Sequence, residues 1–298
     1  MFAKFQFTFF SWLLLWVADC ARSTDNVVYP RLLEARGLDA EKVLYIQDDV
    51  VLRLQKTSVL SESFVFSENI NGRRVDRIMN GKELEANMYH DRNQMASVNI
   101  EETNGGVKVK GILSDTLRIA PLDIGARSDD GPIPHEILKV EQRAGISGKY
   151  KVGPEITSSN NFYVELKIVV DDYHNSAFKT TEDLVQYFAL CMKLVNIRYE
   201  DTSNPRVQFL LTTVEVAEKD FAEVFTAPDV DCPSRSQKRY MDPVLMINKT
   251  ANVYGKSEED VTVFVTSVDL ADNFDGTAYN HVMGQAKLGG LCKDGRRR

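Results

Sequence analysis

The sequence has no concentrated basic face: its formal net charge is −7, its pI is near 5.3, and its only basic run is the terminal Arg296-Arg297-Arg298. Binding to a phosphate backbone needs such a face, so nucleic acid is excluded as a partner, and the three arginines read as a solvated tail. Past the first residues no window reaches the roughly 18 apolar residues of a spanning helix, so no membrane span is expected. Signatures of catalysis are missing too. The chain has no G-x-S-x-G elbow, no Walker-type phosphate loop and no H-E-x-x-H, the helical zinc-ligand pair with its glutamate base. The four histidines, His90, His135, His174 and His281, are never spaced i, i+4, and each reads as a surface or turn residue.

What is present is ordinary globular material, 43% hydrophobic and 27% charged over 298 residues, enough for two domains. It opens with Lys4, an apolar stretch from Phe5 to Val17, and small residues around Ala18, Cys20 and Ala21. That pattern predicts a secretory signal over residues 1–21 and a secreted, extracellular protein. The sequon at Asn248, with Lys249 and Thr250, fits that route as a glycosylation site. Removing the signal leaves Cys191, Cys232 and Cys292. An odd count in an oxidising compartment means that one thiol stays free, pairs between chains, or lacks its partner.

Residues 26–140 carry short alternating or β-branched runs: Val50 to Gln55, Phe64 to Ser67, Ser97 to Ile100, Val107 to Leu113, Thr116 to Ala120 and Ile137 to Val140. Turn signals between them, Asn104-Gly105-Gly106 and Ser114-Asp115, predict a β-rich meander with no cluster of catalytic residue types. Residues 142–161 are rich in Gly, Ser and Asn and read as a linker with single basic residues, an arrangement that suggests a zymogen. The pattern then alternates strand and helix. Phe162 to Val170, Val207 to Val216 and Val261 to Val268 read as strands. A helix capped by Thr180 or Thr181 buries Leu184, Phe188, Cys191, Val195 and Tyr199, and a second helix falls within residues 236–252. Such alternation predicts an α/β fold with a mainly parallel sheet.

Tyr29-Pro30, Tyr89-His90, the NGGVKVKGILSDTLRIAPL segment from Asn104, the helix end Val195 to Tyr199, and the Asp260 strand with its Gly-Gln-Ala-Lys-Leu-Gly-Gly-Leu-Cys follow-on succeed one another in a telling order. In that order and spacing the chain resembles the reprolysin (adamalysin, M12B) zinc metalloproteases, with the nearest likeness among salivary metalloproteases of blood-feeding arthropods such as ticks. The resemblance implies a β-rich pro-domain over residues 22–155. Residues 156–298 would form the front of a metzincin-like catalytic α/β sandwich. It implies zinc as the cofactor of complete relatives and extracellular proteins or peptides as their substrates. Their H-E-x-x-H-x-x-G-x-x-H helix follows the glycine-and-cysteine turn, so this chain is expected to be truncated before the zinc ligands and inactive as written.

The same resemblance places Glu165 and Asp260 at positions where related domains hold calcium, and matches Cys292 to a cysteine whose partner lies downstream, leaving Cys191 and Cys232 as a candidate pair. Relatives carry an aromatic or β-branched strand where this chain has Ala286-Lys287-Leu288, which weakens a substrate-lining edge. A sheet left without its covering helix loses about 25 cal/mol for each Å² uncovered, so the C-terminal half is expected to self-associate. The alternative reading is a non-catalytic secreted binding or inhibitory protein acting through the pro-domain.

Overall fold

The structure, a computed structural model, describes residues 27–33, 42–104, 106–122, 131–140, 161–202, 205–219, 221–228, 237–274, 277–279 and 284–286. The predicted signal, almost all of the predicted linker, Cys232, His281, Lys287 and Cys292 lie outside them.

The first portion contains β1 (Val27–Val28), β2 (Arg31–Leu33), β3 (Lys42–Gln47), β4 (Val50–Lys56), β5 (Leu60–Ile70) and β6 (Arg73–Asn80). The short helix α1 (Gly81–Leu84) leads to β7 (Met88–Asp91), β8 (Ala96–Thr103), β9 (Gly106–Ile112), β10 (Leu117–Pro121) and β11 (His135–Lys139). Nine of these strands form one sheet in the order β1-β11-β10-β9-β8-β7-β4-β3-β2, antiparallel throughout. Period-two alternation drives it: Val107 and Val109 on β9 are buried while Lys108 and Lys110 face outward. Leu44, Leu52, Val98, Ile119 and Ile137 join them in its core.

The remaining elements are β12 (Asn161–Val170), α2 (Asp172–Asn175), α3 (Thr181–Tyr199), β13 (Arg206–Val216), β14 (Val224–Ala227), β15 (Lys238–Met241) and α4 (Pro243–Tyr254). The strands β16 (Val261–Val265), β17 (Asp269–Leu270), β18 (Asp272–Phe274) and β19 (Thr277–Tyr279) follow. A five-stranded sheet runs β16-β12-β13-β5-β6. Its β16–β12, β12–β13 and β13–β5 pairs are parallel, and β6 closes it antiparallel. Two strands of this sheet therefore come from the first portion of the chain. They are joined by Asn71 and Gly72, both at positive φ (54° and 75°), the geometry of a type I′ hairpin turn.

These pairings correct the expected α/β class with a mainly parallel sheet. Strand makes up 52% of the described residues against 19% helix, and the largest sheet is antiparallel. Apolar runs such as FYVELKIVV report burial on both faces, but not how many other strands of the chain pair in the opposite sense.

Alternation along β12 divides two cores. Leu166, Ile168 and Val170 pack with Leu184, Phe188 and Leu190 of α3, whereas Val169 packs with Met246 and Tyr254 of α4. Thr180 caps α3, its hydroxyl accepting the Asp183 N–H at 3.1 Å, and Asp242 caps α4 ahead of Pro243. The buried stripe of α3 is broader than one apolar face, including Val185, Ala189, Met192 and Ile197, while Tyr199 is 41% exposed. The reason is position: α3 also meets the nine-stranded sheet. Asn99 on β8 donates to Gln186 at 2.9 Å, Lys110 on β9 pairs with Asp183 at 2.7 Å, and Arg92 pairs with Glu200 at 2.5 Å.

Candidate functional site

The chain leaves β12, crosses by α3 to β13 on one side, and then crosses by α4 to β16 on the other side of β12. At such a change of direction the loops leaving adjacent parallel strands part, and a crevice opens outside their carboxyl ends. A polar cluster sits there.

Asp171, the residue after β12, is 2% exposed. Its N–H donates to the Val265 carbonyl at 3.3 Å, and its Oδ1 caps α2 by accepting the His174 N–H at 2.9 Å. Burial raises its pKa above the ordinary carboxylate value. His174 Nδ1 lies 2.9 Å from Ser267 Oγ in the segment leaving β16. Its ring packs against Phe178, Tyr187 and Phe188 with centroids 5.5–5.6 Å away, and burial lowers its pKa, favouring neutral imidazole. Asp171 thus binds the main chain of His174 rather than its ring. The trio lacks the carboxylate-to-imidazole bond that orients a base for nucleophilic catalysis.

Beyond Ser267 lies a cavity of about 590 Å³ whose lining includes Tyr173, Thr226, Gln237, Arg239, Val268 and Asp269. Strands β14, β15 and β17 build its outer wall, β15 pairing with both others. Lys238 and Asp269 pair at 2.6 Å, and the Arg239 guanidinium lies 4.9 Å from the Tyr173 ring centroid. A second crevice, of about 560 Å³ and reached by Asp172 and Asn175 on the same short α2, carries Glu68 and Glu218 and is acidic.

The residues singled out in the sequence fall elsewhere. Glu165, midway along β12, and Asp260, just before β16, meet where the two strands begin to pair, Asp260 Oδ2 accepting the Glu165 N–H at 3.0 Å. Two carboxylates fall short of the six or more oxygens that calcium takes. Cys191 is a free thiol on α3, where burial raises its pKa. Asn248 is exposed on α4, while Thr250 of the same sequon is 7% exposed.

Two of the histidines correct the surface or turn reading. His90 on β7 is 6% exposed and His135 on β11 is fully buried. Burial pushes the pKa of His90 down to about 3. Both ring nitrogens of His135 are taken, Nε2 accepting the Val109 N–H at 2.8 Å and Nδ1 bonding the Ile133 carbonyl at 2.9 Å. Among the described residues no three His, Cys, Asp or Glu side chains converge on a point that would hold a metal, so these residues do not fit a zinc ion.

Sequence reasoning passed over Tyr173, Arg239 and Ser267. The signal that pointed to them was the strand–helix–strand order itself, since it marks where a crevice must open.

In sequence the chain is similar to venom metalloproteinase BumaMPs1 of Olivierus martensii, 23% identical over 288 residues, which cover 90% of this chain and 71% of that protein. It is likewise 23% identical to venom metalloproteinase antarease TserMP_A of Tityus serrulatus over 305 residues, 94% of this chain and 73% of the relative. Venom metalloproteinase antarease-like TtrivMP_A of Tityus trivittatus is matched at 23% identity over 302 residues. No family model and no solved structure matches. The likeness supports a metalloprotease family for this chain. Among the described residues no helix is long and apolar enough to cross a membrane.

Proposed function

We propose that this chain is a secreted zymogen-type member of the reprolysin zinc metalloendopeptidases, whose complete relatives cleave extracellular proteins or peptides, and that the 298 residues as written hydrolyse no protein themselves. Similarity across 90% of the chain to a protein named a venom metalloproteinase carries the reading. In this reading residues 1–21 are a secretion signal, residues 22–155 the leader, and residues 156–298 the front of the catalytic portion. The absence of H-E-x-x-H from the sequence and the separation of His90, His135 and His174 on β7, β11 and α2 support the lack of activity.

The test is zymography on protein substrates together with elemental analysis of the purified chain after dialysis. The expected result is no cleared band and no stoichiometric zinc. Chelator-sensitive proteolysis by the purified chain would overturn the proposal.

A further inference from the structure

The structure assigns a binding site for a small organic carboxylate to the cavity at the carboxyl ends of β12 and β16, with the Arg239 guanidinium as its anchor. Position comes first. The cavity lies where the crossovers from β12 to β13 and from β13 to β16 run in opposite directions, the place in a parallel sheet where ligands dock. Its volume of about 590 Å³ falls within the range of small-molecule sites.

Charge selects an anion. Among the described residues the lining carries Lys238 and Arg239 against the single carboxylate of Asp269, and Asp269 is held by Lys238 at 2.6 Å. Arg239 has no carboxylate within ion-pair distance among the described residues and is steadied only by the face of Tyr173 at 4.9 Å. A guanidinium held over an aromatic ring with no carboxylate partner has N–H groups to offer, and its fork matches a planar carboxylate with two parallel hydrogen bonds. The acidic crevice on the other side of α2, with Glu68 and Glu218, repels the same ligand.

The remaining lining supplies neutral donors and an apolar wall. Thr226, Gln237 and Ser267 face the cavity beside Tyr173 and Val268. His174 Nδ1 and Ser267 Oγ share one hydrogen bond, so with the imidazole proton on Nδ1 the serine hydroxyl is left to donate into the cavity. The ligand class is therefore a carboxylate on a small partly apolar body, as in an N-acylated amino acid or the last residue of a peptide.

Isothermal titration of the full chain with hippurate, with hippuramide and inorganic phosphate as comparators, tests this assignment without reference to proteolysis. Saturable hippurate binding is expected, with hippuramide and the Arg239→Gln variant each weaker by about tenfold or more, because a charged hydrogen-bonded pair is lost. Arg239→Lys, which keeps the charge but not the fork, should fall between, and Tyr173→Ala should weaken binding by freeing the guanidinium. Circular dichroism checks that each variant folds. Equal affinity for hippurate and hippuramide, phosphate binding as tight as hippurate, a folded Arg239→Gln with undiminished affinity, or no saturation by about 10 mM hippurate would each overturn it.

Discussion

The two ends of the stretch that β12 shares with β16 are built from similar residue types and do opposite things. At its amino end the carboxylate of Asp260 is spent on the sheet, accepting the Glu165 N–H at 3.0 Å where β12 begins to run beside β16. At its carboxyl end Asp171 Oδ1 is also spent, on α2, but Ser267 and Arg239 face a cavity and Arg239 meets no carboxylate among the described residues. Between the ends, Lys167 on β12 and Glu215 on β13 close a buried pair at 2.6 Å. A polar residue beside a strand signals a ligand only when the sheet has not already used it.

The sharpest way to break this comparison is at its closed middle. Lys167→Met leaves Glu215 buried with the Tyr254 hydroxyl and the more distant Arg74, 3.4 Å away, and should cost about 3–5 kcal/mol in urea denaturation. Adding Glu215→Leu should restore most of that loss, since two apolar side chains need no partners. A Lys167→Met chain as stable as the parent would mean that the pair is not closed.

Acid probes the same contrast through the histidines. In the folded chain His90 takes its proton only near pH 3, whereas the ordinary imidazole does so near 6.5. As pH falls between those values the unfolded chain binds the proton first, so stability present above 6.5 drains away. The loss should be about 3 kcal/mol between pH 7 and pH 4. His174, whose pKa burial also lowers, adds in the same sense. Denaturation midpoints across that range should fall steeply in the parent and less steeply in His90→Gln; parallel slopes would show that His90 is not the group responsible.

The smallest effects separate the two ends directly. Asp260→Ala should cost about 1 kcal/mol by orphaning the Glu165 N–H, while Arg239→Gln should stay within about 0.5 kcal/mol, as expected of an exposed side chain that closes nothing. Thermal melts of the two variants side by side read the difference. Equal losses would erase the distinction between a structural and an open end.

Much of the local structure was legible in the residues. The strands around Val164, Leu211 and Val263, the Thr180 cap and the alternation of β9 all follow from periodicity and capping chemistry. The Asn71-Gly72 turn is legible too, as an Asn-Gly pair between two runs of strand character. What no local pattern could report is that the resulting hairpin lies along β13, more than a hundred residues away, with Leu211 opposite Leu60 and Val214 opposite Phe66. Strand pairing is chosen by matching buried faces, and many strands of this chain offer an apolar face. The α/β expectation failed for that reason, and the candidate site was hidden with it: Tyr173, Arg239 and Ser267 are neighbours only once β12, β15 and β16 have been placed.

By itself the sequence determined the elements, because capping, turn geometry and period-two burial act over a few residues. It also determined the absence of the H-E-x-x-H motif and the likeness to metalloproteases. Only the tertiary structure decided which polar groups are consumed. Asp260 and His135 are engaged and Arg239 is left open because partners far apart in the chain either reach a group or do not, and each hydrogen bond made within the fold is one fewer available to a ligand.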